Sequence, residues 1–199
     1  VSQWSARPPE AETDAVRFVR TVLDFIGRKG ENGFTDADFE GKMAALAKSG
    51  DLPVRVEALL SLATFAERAG RHDEAVSALR EAAGIDDYAA GPILVDCLLR
   101  LERVEDAIAA NLRLVRHYPT RGRVLMQGDL LAATGGLDGL PELRKLLSDG
   151  KYETILVQNY FDALEAYAAG DLNTVYRALS SVREMVVTHT ALEYDATIV

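Results

Sequence analysis

Apolar residues recur three and four positions apart along most of this chain, from Thr13 to Val187, and this period predicts helices rather than strands. A first helix is expected from Thr13 to Arg28, with Val16, Val19, Val22, Leu23 and Ile26 at helical spacing. Phe18 and Phe25 widen its apolar face, so it should pack on two sides. Gly30 and Gly33 mark a turn, and Thr35 then caps a second helix, with Asp38 three residues on as an approximate capping box. Phe39, Met43 and Leu46 form the core stripe of that helix. Asp51 and Pro53 open a third, where a proline in the first turn costs little because its missing N–H has no helical partner anyway.

From there the pattern repeats. Turns are expected at Gly70, Glu102, Gly135 and Gly170, a spacing of 32 to 35 residues. The clearest copy, Ala58 to Asp86, places Leu59, Leu62, Ala63 and Ala66 on one helix and Ala75, Val76, Leu79 and Ala82 on the next. A second copy runs from Ala89 through Leu94, Val95 and Leu98 to Ala107, Ile108 and Leu114, and closes at Tyr118-Pro119. Glu102 stands where its turn would ordinarily carry glycine. In a third, Gly128 takes the close-approach position, Gln127 sits where leucine is expected, and Pro141 enters the first turn of the second helix. In the fourth, Tyr160, Ala163, Leu164 and Tyr167 point inward if the turn at Gly170 is one residue shorter, and Val175, Leu179 and Val182 follow.

This arrangement of small and large apolar positions resembles the tetratricopeptide repeat over about residues 55–185. The resemblance implies an all-α fold, a right-handed α-solenoid of stacked antiparallel helix pairs. The chain then divides into an extended or disordered lead at 1–12, a divergent helical hairpin at 13–50, an array of four helix pairs at 51–187, and a tail or the start of a following element at 188–199. Pro8-Pro9 blocks helix in the lead, where Trp4 is read as tacking the segment onto a neighbouring helix.

Composition narrows the function. The chain has 48% hydrophobic and 27% charged residues, an ordinary balance for a soluble globular protein, and its formal net charge is −9. The acid excess argues against nucleic acid and anionic lipid as partners. No stretch approaches the roughly 20 apolar residues that span a bilayer, so no membrane insertion is expected. The single cysteine, Cys97, excludes an intrachain disulfide and a cysteine-built zinc site, and fits a reducing compartment, the cytoplasm, although a periplasmic protein with one buried thiol would look the same. It reads as a buried inert thiol, since no cation adjoins it to lower its pKa.

Enzyme motifs are lacking. There is no phosphate-binding glycine loop, no zinc-protease signature and no nucleophile elbow, and His72, His117 and His189 share no ligand spacing. No catalytic residue, metal or cofactor is therefore expected. One basic stretch stands out: Arg113, Arg116, His117, Arg121 and Arg123 occur with no acid between Asp106 and Asp129. It reads as a solvated helix end countering the dipole, or else as a local anion-binding patch.

In the family this chain resembles, ligands lie along a concave face lined by the first helix of each pair. Carried over, that face takes Leu60, Thr64 and Glu67 from the first copy and Asp96, Leu99 and Arg100 from the second. Leu125 and Asp129 come from the third, with Gln158, Phe161 and Glu165 from the fourth. The row Thr64, Asp96, Asp129, Glu165 would favour cationic or hydrogen-bonding peptide segments. The reading is a non-catalytic interaction or scaffold module for a protein or peptide partner. Its rival is an accessory domain of a larger enzyme or regulator, for example a glycosyltransferase or sulfotransferase.

Overall fold

A computed structural model of the chain describes residues 12–28, 35–150 and 155–180. Outside short connections these residues are helical, and no strand occurs among them. The helices are α1 (Asp14–Arg28), α2 (Asp36–Leu46), α3 (Leu52–Arg68), α4 (His72–Ile85), α5 (Asp87–Arg100), α6 (Val104–His117), α7 (Arg121–Thr134), α8 (Leu140–Gly150) and α9 (Ile155–Ala168). A 3-10 turn at Leu137–Gly139 precedes α8, and residues 172–180 are also helical. The expected turn at Gly30 and Gly33, the lead with Trp4, and the end of the chain, including Val182 and His189, lie outside the described residues.

Helix starts follow their sequence signals. The Thr35 side chain accepts from the Asp38 N–H at 3.2 Å, and the Asp38 carboxylate accepts from the Thr35 N–H at 2.9 Å, a complete capping box. Asp51, Asp86 and Thr120 cap α3, α5 and α7 through their own side chains. The turns at Gly70, Gly135 and Gly170 all take positive φ, 72° to 74°. Glu102 does the same at φ 57°, so the hairpin turn forms there without glycine and the side chain bears the strain of a left-handed backbone.

The chain forms two compact units that divide after Arg103. In the first, α3 packs against both α2 and α4, α4 packs against α5, and α1 lies on α2 and α3. Its core is Met43, Leu59, Val76, Leu79, Leu94, Val95 and Leu98, interleaved with buried alanines on α3, α4 and α5. Phe25, Phe39 and Phe65 join α1 to α2 and α3, with ring centroids 4.4 to 5.3 Å apart. The stripe expected to bury α1 faces outward instead: Val16, Val19, Leu23 and Ile26 are 47–71% exposed, while Thr21 is buried. The aromatic ring contacts of Phe25 turn α1 by its opposite edge towards the core.

In the second unit α7 packs against α6, α8 and α9, and α8 packs against α9. Val115, Val124, Leu140, Leu143, Leu147, Val157 and Phe161 form its centre. Gln127 is fully buried, and its polar atoms are satisfied there. Its Oε1 accepts from Asn111 Nδ2 at 2.8 Å, and its Nε2 donates to the Ile108 carbonyl at 3.3 Å. Leu179 and Tyr167, expected inward, are 50% and 60% exposed.

Candidate functional site

Unit 1 carries an open cleft of about 830 Å³ between α2 and α4, with α3 as its floor. Leu59, Leu62 and Ala66 of α3 make that floor apolar. The walls are small: Ala37, Gly41, Ala44 and Ala47 on the α2 side, Ser77 and Ala78 on α4. Ion pairs stand at both ends. Arg71, in the turn before α4, binds Glu40 of α2 and, at 2.8 Å, Glu74 of α4. The hydrogen bond to Glu40 is the main reason its guanidinium holds its proton above the usual arginine range. At the other end Arg55 Nη2 of α3 donates to Glu81 of α4 at 2.5 Å, with Lys48 beside them.

The face expected to hold a peptide divides between the units, and its acids are already engaged. On α3 and α5, Leu60, Glu67 and Leu99 are half-buried and Thr64, Asp96 and Arg100 exposed. Arg100 donates to Glu67 at 2.8 and 3.0 Å and also pairs with Asp96 one turn earlier on α5. The Thr64 hydroxyl donates to the Leu60 carbonyl of its own helix at 2.9 Å. Unit 1 thus brings Glu67, Asp96 and Arg100 together, two carboxylates around one guanidinium.

In unit 2, Leu125 is half-buried and Asp129 and Gln158 are exposed. Tyr160 donates its hydroxyl to Asp129 at 2.5 Å, and burial, reinforced by that carboxylate, pushes the phenol well above its ordinary range. Glu165 accepts from Arg144 Nε at 2.7 Å, and the same guanidinium reaches Asp162 at 2.5 Å and lies over the Phe161 ring. Phe161 corrects the expected face: it is fully buried at the centre of unit 2 rather than turned to a ligand. The register of α9 is set by Val157 and Phe161, which enter the core together one turn apart. Gly128 sits where close approach was expected, and what approaches is α9: an added Cβ would stand 3.0 Å from the Tyr160 ring and 3.2 Å from Leu164.

The basic stretch lies in unit 2 around the α6–α7 connection. Arg113, Arg116, His117 and Arg121 are exposed and Arg123 is half-buried. Arg116 Nε donates to Glu142 at 2.8 Å, and Arg123 Nη1 donates to the Tyr118 carbonyl at 3.2 Å. These bonds tie part of the stretch to its own unit. Cys97 is wholly buried, and burial raises its thiol pKa, so the thiolate needed for nucleophilic chemistry is disfavoured. Among the described residues no cluster of histidine, cysteine and carboxylate side chains could hold a metal ion, and no helix is long and apolar enough to cross a membrane.

The cleft is not among the sequence expectations, yet α2 carries a signal for it. Ala37, Gly41 and Ala44 recur at helical spacing opposite Phe39, Met43 and Leu46, where a solvated face would usually bear charge. Compared with known proteins, the chain matches no family model, no curated protein and no solved structure.

Proposed function

We propose that this chain is a non-catalytic module of tetratricopeptide-like helix pairs that holds a segment of another protein. The observation that carries the reading is the unit 1 cleft: it is open, its floor is apolar, and its walls are small enough to admit a backbone. The solenoid part of the reading is supported by the left-handed turns at residues 70, 102, 135 and 170, which keep the period of the repeat. The α3–α5 face around Thr64 and Arg100 is the second surface, where a cationic ligand competes with Arg100 for Glu67 and Asp96.

The test is photo-crosslinking in native lysate, with a benzophenone amino acid placed at Ala44 in one variant and at Thr64 in another. A discrete partner captured from Ala44, and lost when Gly41→Phe fills the cleft, is the expected result. Capture from Thr64 alone would move the site to the α3–α5 face. No discrete product from either position would sink the reading.

A further inference from the structure

We infer that the unit 1 cleft takes an α-helix of defined direction, lying antiparallel to α2 and α4, with acidic residues in its first turn and basic residues in its last. This rests on the reading of the chain as a module for a protein segment, and adds the conformation, direction and charge order of that segment.

Conformation follows from what the walls lack. An extended peptide needs backbone partners, and buried N–H and C=O groups without them are costly. The middle of the cleft offers Gly41, Ala44 and Ala78 over Leu59 and Leu62, with the Ser77 hydroxyl as its one side-chain donor and acceptor, too little for a run of peptide groups. A helix satisfies its own backbone and needs only an apolar floor. Length agrees: the lining runs along α2 and the turn after it, from Ala37 to Lys48, about three helical turns.

Gly41 leaves room for such an occupant. It lies inside α2, where glycine weakens a helix, and an added Cβ would meet nothing within 4 Å. No close approach within the described residues accounts for it. The missing side chain leaves space for a helix seated between α2 and α4.

Direction follows from charge. The end formed by the starts of α2 and α4 holds Glu40 and Glu74 around Arg71, one negative charge in excess. The end formed by their last turns carries the Arg55–Glu81 pair and Lys48, one positive charge in excess. Arg55 Nε at this end is shielded from solvent and has no acceptor. A helix whose acidic first turn meets Lys48 and Arg55 sets its basic last turn against Glu40 and Glu74. That direction also opposes its dipole to those of α2 and α4.

The experiment uses the full chain and two fluorescent 16-residue peptides sharing one alanine and leucine stripe. One carries Glu in its first turn and Lys in its last, and the other carries the reverse. Fluorescence anisotropy is expected to show the acid-first peptide binding at least about ten-fold tighter, with both losing affinity to Gly41→Phe. The double variant Lys48→Glu/Glu40→Lys should erase or invert the preference, and circular dichroism of each variant checks that the fold persists. Equal affinities, or tighter binding of the reversed peptide, overturn the inference while leaving the module reading intact. Undiminished binding of a proline-interrupted acid-first peptide overturns it too, because the bound form is then not helical. So does a cleft filled by a second copy, seen as concentration-dependent sedimentation that Gly41→Phe abolishes. If neither peptide binds, the inference fails, and the crosslinking from Ala44 and Thr64 judges the module reading separately.

Discussion

In unit 1 the helices meet through small residues: Ala58, Ala63 and Ala66 of α3, Ala75, Ala82 and Ala83 of α4, and Ala90 of α5 are all buried. In unit 2 the centre is filled by bulk, with Leu140, Leu143, Leu147 and Phe161 packed around Val115, Val124 and Val157. Alanine contacts let helix axes approach towards the short end of the usual 8–10 Å range, and larger side chains hold them further apart. Unit 1 spends its larger groups on the α3 floor and the phenylalanine cluster and leaves the space between α2 and α4 open. Unit 2 closes its space with side chains, and where an apolar one is missing it closes it with a hydrogen-bonded amide pair. One unit therefore leaves an open cleft on its surface, and the other fills its interior with side chains.

The contrast is broken most severely at Phe161. If unit 2 depends on bulk, Phe161→Ala should cost about 3–5 kcal/mol, since the ring is fully buried and its neighbours on α8 can follow it only in part. Loss of amide protection in α7, α8 and α9 by hydrogen exchange is the measurement. A cost below about 1 kcal/mol would mean that the centre of unit 2 lies elsewhere.

The amide pair gives the next largest effect. Gln127→Leu alone leaves Asn111 Nδ2 with only the Arg123 carbonyl at 3.1 Å, and the remaining buried polar group should make the change cost about 1–3 kcal/mol. Replacing both by leucine removes the unsatisfied partner and should recover much of that loss. Urea denaturation of the two single variants and the double variant reads the coupling. Simple additivity would show that the pair fills space without acting as a unit.

These positions also mark where sequence reasoning stops. Caps and turns are legible because they are local: Thr35 with Asp38, Asp51 with Pro53, and the turn residues each act within a few positions. The inert setting of Cys97 is legible from its neighbours on α5. Gln127 is readable as a polar residue at an apolar position, but Asn111 lies 16 residues away and their meeting depends on the register of α6 against α7. Phe161 is misplaced by its sequence pattern because a shift of one residue turns a helix by about 100°, enough to exchange an inward position for an outward one. The outward stripe of α1 fails similarly, because both edges of that helix are apolar and only packing on Phe39 and Phe65 chooses between them. The cleft escapes such reading because its signal is missing charge on α2.

Gly41 sharpens the contrast from the side of unit 1. With open space around its missing Cβ, Gly41→Ala should stabilise the free protein by about 0.5–1 kcal/mol through helix propensity alone. Gly128→Ala in unit 2 should do the opposite, since the same methyl group would press on Tyr160 and Leu164. Thermal melts of the two variants make the comparison directly. Destabilisation by Gly41→Ala would mean that α2 is packed more tightly than its open face implies.

The smallest effect concerns a device that both units share in mirrored form. In unit 1 a threonine caps α2 and an aspartate answers from its first turn; in unit 2 Asp171 caps residues 172–180, and Thr174 answers by donating its N–H at 3.1 Å and its hydroxyl at 2.6 Å. Hydrogen bonds from Thr35, the backbone one foremost, hold Asp38 below the usual carboxylate range, and those from Thr174, the side-chain one foremost, do the same for Asp171. A folded pKa below the unfolded one means that each cap is fully effective above the ordinary aspartate range and is lost as pH falls through the lowered value. Acid should therefore fray the starts of both helices. Asp38→Asn and Asp171→Asn should each remove that acid step locally, with the smaller overall change at Asp171, because asparagine is itself a good N-cap. Amide exchange in the first turns, followed from neutral pH into acid, reads both helices at once. If the first turn of α2 frays in acid as much in the Asp38→Asn variant as in the unsubstituted chain, the carboxylate is not what holds it.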